Sequence, residues 1–200
     1  MEQQRRRPQE RSRLTRLRIL DTAVEVLVDE GYSQATTLRI QERAGVSRGS
    51  LLHHFPSRDA LLVAAVHHLA SDRVQNAGSD TVWPVDPGAR VAAAVRAMWA
   101  TYRQPYFWAS VELWIAARSH DELRQVLAPR ERELGALVRE ATDGFFGPDL
   151  VTNAGYPALR EILNTSMRGV AVTYAFEQRE PNSDPHVSDW IDVARSILIA

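Results

Sequence analysis

Apolar residues recur at intervals of three and four along most of the chain, and no segment shows the strict alternation of a half-buried β-strand. Helical spacing of this kind places the apolar side chains on one face of each helix. The stripes lie within residues 17–28, 61–65, 91–102, 107–115, 123–138, 159–174 and 190–198. The pattern predicts an all-α protein of about nine helices.

Two short helical segments follow the first long stripe, and a tight turn joins them. Gly31 is a natural end for the first helix, and Thr37 is placed to cap the second. Gly45 then turns the chain into a third helix, which Ser47 can cap and which ends near Phe55. Helix, glycine turn and helix at this spacing are typical of a helix-turn-helix.

The beginning of the third helix carries the groups that a helix-turn-helix uses on DNA. Its free backbone N–H groups and positive dipole end favour phosphate oxygens. Arg48 can pair bidentately with guanine, and Gly49 lets the backbone approach a duplex closely. Because this part of the second helix of such a motif reaches the base edges, we expect it to lie in the major groove.

Charge is distributed unevenly along the chain. The whole sequence has a net charge of −1, yet residues 1–20 hold seven Arg and two Glu. A basic N-terminus on an acidic body suggests contact with a polyanion, although a merely solvated arm would have the same composition. Five arginines of this segment could follow the phosphate backbone or enter the minor groove: Arg5, Arg6, Arg7, Arg11 and Arg13.

Composition narrows the class of protein. The sequence has no cysteine, which excludes disulfides and thiolate metal sites. No apolar run approaches the roughly 20 residues of a membrane span, and no apolar stretch follows the N-terminal arginines as in a secretory signal. We therefore expect a cytoplasmic protein that does not interact with membranes.

Four sequence elements within residues 14–70 carry a resemblance to a known family. They are EGY at 30–32, TT at 36–37, I-x-x-x-AGVS-x-G at 40–49 and HF-x-S-R-x-x-LL at 54–62. In this order and at these intervals they resemble the DNA-binding domain of the TetR family of bacterial transcriptional regulators. The rest of the chain resembles the family only in length and helical pattern.

The resemblance implies DNA contacts at matching positions. Thr37 and Arg39 would touch the DNA backbone or a base, and Arg58 would hold a phosphate. The third helix would place in the major groove the residues Arg48, Gly49, Ser50 and His53, and Ser47 at its start is a further candidate for DNA binding. Two positions depart from the family pattern: Leu52 stands where many members have a phosphate-contacting tyrosine, and Gln41 stands where alanine is usual.

The resemblance also implies a C-terminal helical domain for ligand binding and dimerisation. Aromatic residues cluster after residue 98, either as plain core or as the wall of a cavity. The candidates for that wall are Met98, Tyr102, Trp108, Glu112 and Trp114. The last two helices could complete a monomer core, but a single helix-turn-helix reads only a half-site, so a homodimer is favoured. The candidate interface residues are Leu163, Met167, Val170, Tyr174, Trp190 and Ile197.

Two alternatives to a DNA-binding regulator stay open. One is a small-molecule-binding protein that does not act through DNA, and the other is a hydrolase. No strained nucleophile turn and no phosphate-cradling glycine loop appears, so an enzyme is disfavoured. The pairs His53–His54 and His67–His68 are adjacent rather than four apart, which disfavours chelation of a metal ion. We expect no metal and no cofactor.

The sequence therefore predicts three parts: a basic arm at 1–13, a helix-turn-helix domain at 14–60 and a helical ligand-binding and dimerisation domain at 61–200. A segment rich in Gly, Pro, Ser and Asp at 77–88 lies between predicted helices of the last part. The predicted function is that of a dimeric transcriptional repressor. It would bind a palindromic operator on double-stranded DNA and leave it when an unknown small molecule binds.

Overall fold

The structure, a computed structural model, describes residues 2–177 and 179–199, with side chains described from residue 9 onward. This part of the chain is all-α, as the hydrophobic pattern predicts, and contains no strand. Its ten helices are α1 (Glu2–Gln34), α2 (Thr37–Ala44), α3 (Arg48–His54), α4 (Arg58–Gln75), α5 (Pro87–Thr101), α6 (Pro105–Ala117), α7 (Asp121–Phe146), α8 (Pro148–Val151), α9 (Tyr156–Thr173) and α10 (Pro185–Leu198). Nine of them correspond to predicted helices, and the single-turn α8 is additional.

The first helix differs from the prediction at its N-terminal end. Residues 2–13, predicted as a separate arm, form the beginning of α1. The side chains of Arg5, Arg6 and Arg7 lie outside the described part of the chain. At the other end, Gly31 adopts a left-handed φ of 77° and interrupts the helical geometry, as the sequence predicts for a stop.

Short local signals fix α2, α3 and α4. The N-cap of α2 is Thr36 rather than Thr37, because the Thr36 hydroxyl accepts the backbone N–H of Arg39 at 3.1 Å. Thr37 is instead the first residue inside the helix. Gly45 ends α2 in the left-handed conformation, and Ser47 caps α3 as predicted. The two helices are thus held at a tight turn.

Proline has different effects at two kinds of position. Pro87 and Pro185 stand at the beginnings of α5 and α10, where a missing N–H costs nothing. Pro129 lies inside α7, which nevertheless runs from Asp121 to Phe146 without a break. None of the described helices is long and apolar enough to cross a lipid bilayer.

The chain divides into two compact units, and the division differs from the predicted boundary at residue 60. The first unit comprises the residues up to Asp72 together with Pro105–Gly135, and the second comprises Arg73–Gln104 together with the residues from Ala136 onward. The core of the first unit contains Ile19 and Leu27 of α1, Leu51 of α3 and Leu113 of α6. The helix-turn-helix therefore shares its core with α6 and the beginning of α7.

The second unit is organised around α5, α9 and α10. The indole rings of Trp99 and Trp190 lie 5.2 Å apart between centroids. The carboxylate of Asp184, which is fully buried, caps α10 and accepts the hydroxyl of Tyr174 at 2.6 Å. These contacts join the last two long helices within this unit.

Candidate nucleic-acid interface

Helix α3 has one buried side and one exposed side. Leu51 is 1% exposed and belongs to the core of the first unit. Arg48, Gly49 and His53 are exposed, and Ser50 is half-buried. Residues three and four apart share a helix face, so the exposed residues form one continuous strip. Of the sequence-predicted residues of this helix, Arg48, Gly49 and His53 are therefore brought together on one surface.

Two features of this strip suit close approach to a duplex. A Cβ atom added at Gly49 would meet nothing within 4 Å, so the glycine leaves open space rather than filling a packing gap. Within the described part of the chain, Arg48 makes no ion pair or hydrogen bond through its side chain. The Ser47 hydroxyl accepts the backbone N–H of Ser50 at 3.2 Å, which fixes the start of the helix and leaves the hydroxyl proton available. An unpaired guanidinium beside bare backbone is what guanine recognition in a groove requires.

The arginine side chains of α2, unlike Arg48, are paired with carboxylates, which the sequence did not predict. Arg39 forms a bidentate pair with the Glu30 carboxylate, with Nη2 to Oε1 at 2.9 Å and Nε to Oε2 at 3.0 Å. Arg43 lies 2.9 Å from Asp29 and 3.5 Å from Glu25. The acidic end of α1 thus neutralises both arginines of α2.

The electrostatics of these pairs follow from the contacts. The hydrogen bond from Arg39 lowers the pKa of Glu30 below its usual value, and the same bond raises the pKa of Arg39. A signal for the cluster was present in the sequence. Glu25 and Asp29 are four residues apart, as are Arg39 and Arg43, so each helix shows a like-charged face to the other.

Arg58 lies at the start of α4 and faces the protein rather than solvent. Its Nε donates to the carbonyl of Ala35 at 2.8 Å, its Nη2 donates to the carbonyl of Tyr32, and its guanidinium lies 4.1 Å from the Tyr32 ring centroid. The sequence predicted a phosphate contact at this position. Two of the guanidinium nitrogens are instead used to hold the connection between α1 and α2.

Glu112 holds the same connection from the other side. Its Oε2 accepts the backbone N–H of Tyr32 at 2.9 Å, directly after the break at Gly31. The Tyr32 hydroxyl in turn donates to Asp59 at 2.9 Å. Helix α6, at residue 112, therefore fixes the point at which the chain leaves α1 and enters the helix-turn-helix.

Comparison with known proteins agrees with this geometry. Residues 19–65 match the model of the bacterial regulatory proteins of the tetR family. An uncharacterized HTH-type transcriptional regulator of Mycobacterium tuberculosis is 24% identical over 170 residues, which cover 84% of this chain and 86% of the relative. The protein is thus a DNA-binding transcriptional regulator.

Solved structures show the same fold over nearly the whole chain. Salmonella enterica GusR superposes with a TM-score of 0.64 at 19% identity, covering 93% of this chain and 96% of GusR. The multidrug binding protein EbrR, solved in complex with ethidium, superposes with a TM-score of 0.62 at 21% identity, covering 92% of this chain and 97% of EbrR. The all-helical fold of these proteins therefore extends through the C-terminal part of this chain.

The predicted ligand-pocket residues do not form one cluster within either unit. Met98 and Tyr102 belong to the second unit, where the Tyr102 hydroxyl donates to Asn164 Oδ1 at 2.8 Å. Trp108, Glu112 and Trp114 belong to the first unit, and Trp114 packs against its core. Their assignment to a single ligand wall stays a prediction.

A cleft that the sequence analysis did not predict lies within the second unit. It has a volume of about 320 Å³ and lies among the end of α4, the segment after it and the last turns of α7. Trp83 stacks on Phe145 there, at 5.4 Å between ring centroids, and the Arg90 guanidinium lies 4.5 Å from the Trp83 ring centroid. Glu140 provides a carboxylate at the rim.

The predicted dimer residues divide between the inside and the surface of the protomer. Leu163 and Met167 are completely buried, and Trp190 is 6% exposed with its indole N–H donating to Ser166. Val170, Tyr174 and Ile197 are half-buried. The exposed apolar residues of α9 and α10 are different ones: Ile162, Val172 and Val193. Periodicity cannot say which of two apolar faces is covered, and the assignment of the six predicted residues to a dimer interface stays a prediction.

Proposed function

We propose that this regulator is a homodimeric repressor that binds a palindromic operator through α3 and leaves it when a small molecule binds. The observation that carries the proposal is the exposed strip of α3, where Arg48 is unpaired among the described residues and Gly49 is open to solvent. A free guanidinium at this place in a helix-turn-helix supports bidentate recognition of guanine.

Within the strip, each residue has a distinct proposed role. Arg48 pairs with guanine, Gly49 sets the approach of the backbone, and His53 donates to a base edge or a phosphate. Thr37, Ser47 and Ser50 lie at the beginnings of α2 and α3, where they can hydrogen bond to phosphate oxygens. Arg39 and Arg58 play at most a secondary part, because their guanidinium groups already bind Glu30 and the α1–α2 connection.

Dimerisation is proposed through α9 and α10. Ile162, Val172 and Val193 are exposed apolar residues on these two helices, and Ile199 follows α10. Burying them against a second copy would remove apolar surface from water and bring two copies of α3 to one duplex. Because a two-fold dimer reads two inverted half-sites, the operator should be palindromic.

The ligand response is proposed on two grounds. EbrR, which has the same fold, was solved with ethidium, a planar aromatic cation. The cleft of about 320 Å³ at Trp83 falls within the size range of small-molecule sites and has aromatic side chains and a carboxylate. A ligand releases DNA only if it binds the DNA-free conformation more tightly than the DNA-bound one.

The experiment that tests the proposed function begins with selection of bound sequences from a random duplex library. The expected result is a palindrome that contains guanine in each half-site. Titration of planar aromatic cations against the protein on that duplex should then release it. A selection without an inverted repeat would contradict the dimeric operator, whereas a duplex that no small molecule displaces would contradict only the ligand response.

A further inference from the structure

The exposed strip of α3 contains a large apolar residue that DNA binding through polar groups does not explain. Leu52 is 46% exposed, whereas its neighbour Leu51 is 1% exposed and lies in the core. Leu52 follows Arg48 by four residues and Gly49 by three, so all three lie on the same face. An isobutyl group therefore stands on the surface through which α3 is proposed to bind DNA.

The open space at Gly49 leaves room for this side chain to approach the bases of a duplex that α3 would bind. Side chains of a helix lean toward its N-terminus, so Leu52 points along the strip toward the turn of Arg48 and Gly49. Because Gly49 has no side chain, the helix can sit deep in the groove, and the next turn is not held away from it. The apolar group on the major-groove edge of a base pair is the C5-methyl group of thymine.

We propose that Leu52 contacts a thymine C5-methyl group in each half-site and so determines specificity at that position. This inference rests on the proposed operator binding by α3. It assigns Arg48 and Leu52 complementary roles, with the guanidinium selecting guanine and the isobutyl group selecting thymine. The two residues would read base pairs in the same half-site, because one helical turn separates them.

The test uses duplexes selected by the full-length protein. Each thymine is replaced in turn by uracil, which lacks only the C5-methyl group, and affinity is measured for the wild type and for Leu52→Ala. When uracil replaces thymine at one symmetric pair of positions, the wild type should bind about fourfold more weakly for each methyl group removed. This factor corresponds to about 0.8 kcal/mol per buried carbon. The Leu52→Ala variant should bind thymine and uracil duplexes equally at that pair.

Two further variants separate base reading from a general effect. Leu14→Ala removes an exposed leucine of α1 (53% exposed) and should keep the wild-type uracil profile. Leu52→Asn keeps a similar side-chain length but is polar, so selection with this variant should lose the thymine preference while guanine is retained. Circular dichroism checks that each variant is folded.

The outcomes distinguish the inference from the function on which it rests. Equal uracil profiles for the wild type and Leu52→Ala would overturn the thymine contact while leaving operator binding intact. Uniform weakening of Leu52→Ala on every duplex, without coupling to any methyl group, would also overturn it. If the library yields no enriched sequence, operator binding itself is contradicted and the thymine contact falls with it.

Discussion

Helices α2 and α3 lie next to each other in the helix-turn-helix but carry their positive charge in opposite states. Both exposed arginines of α2 are paired with carboxylates of α1, as Arg39 with Glu30 and Arg43 with Asp29. Arg48 of α3 has no such partner among the residues that the structure describes, although it lies only five residues after Arg43. The number of arginines in a basic motif therefore does not measure the positive charge that is available to DNA.

A functional consequence follows from this contrast. Phosphate contacts give affinity without sequence information, whereas base contacts give specificity. With the α2 arginines paired and Arg48 without such a partner among the described residues, we expect the motif to favour base reading over general attraction to DNA. The segment of α1 before residue 20 supplies additional arginines, of which Arg13 is paired with Glu10 and Arg16 lies 5.2 Å from the Phe55 ring centroid.

The largest expected effect comes from removing the free arginine. Arg48→Ala should weaken binding to the selected operator by about 1–3 kcal/mol for each half-site, because a bidentate guanine contact is lost. Binding to unrelated duplex should change little. Fluorescence anisotropy on operator and scrambled DNA measures both, and Arg39→Ala is the matched control from α2. Equal losses for the two variants would contradict the contrast between the helices.

The next effect concerns the connection that carries both helices. Glu112→Ala should lower the free energy of unfolding by about 1–3 kcal/mol, because the backbone N–H of Tyr32 loses its acceptor. Glu112→Gln keeps an oxygen that can accept this N–H and should retain most of the stability. Urea denaturation measures both variants. Should Gln and Ala prove equally destabilising, the hydrogen bond would not be the source of the stability.

A smaller effect, in the opposite direction, comes from releasing an arginine of α2. Glu30→Gln removes the charged partner of Arg39, so affinity for non-operator duplex should rise. The slope of log affinity against log salt concentration should steepen by up to about 0.9 for each additional phosphate that the protein neutralises. Glu133→Gln removes the same charge from α7 and is the control. Addition of Arg39→Ala to Glu30→Gln should cancel the rise in affinity. A rise that survives in this double variant would mean that the lost negative charge alone is responsible.

The smallest expected effect concerns pH: the ratio of the non-operator affinities of Glu30→Gln and the wild type should stay constant. The folded pKa of Glu30 is depressed by Arg39, so the ion pair is complete above the usual glutamate pKa and is lost only as pH falls below that value. The ratio of non-operator affinities of Glu30→Gln and the wild type should therefore stay unchanged from about pH 8 down to about pH 5. Using the ratio cancels the effects of titrating groups that are common to both proteins. A ratio that falls within this range would show that Glu30 titrates at its ordinary pKa or above.

Much of the helix-turn-helix followed from the sequence because its signals are local. Gly45 permits the left-handed turn, and Ser47 caps α3 three residues before Ser50, so a few adjacent residues specify the motif. The threonine cap was displaced by one residue, to Thr36, because either of two adjacent threonines can satisfy the same N–H groups. The all-α class likewise followed from the period of the apolar residues.

Which polar side chains are free depends on the tertiary structure. Arg39, Arg48 and Arg58 have the same chemistry, but their surroundings differ because the partners come from other elements: Glu30 for Arg39, and the carbonyls of Tyr32 and Ala35 for Arg58. Glu112 lies 80 residues from the N–H that it accepts, a separation that no local pattern encodes. The spacing of apolar residues and the helix caps act within one helical turn, so the helices follow from the sequence alone. The pairing of charges, in contrast, depends on how distant helices pack.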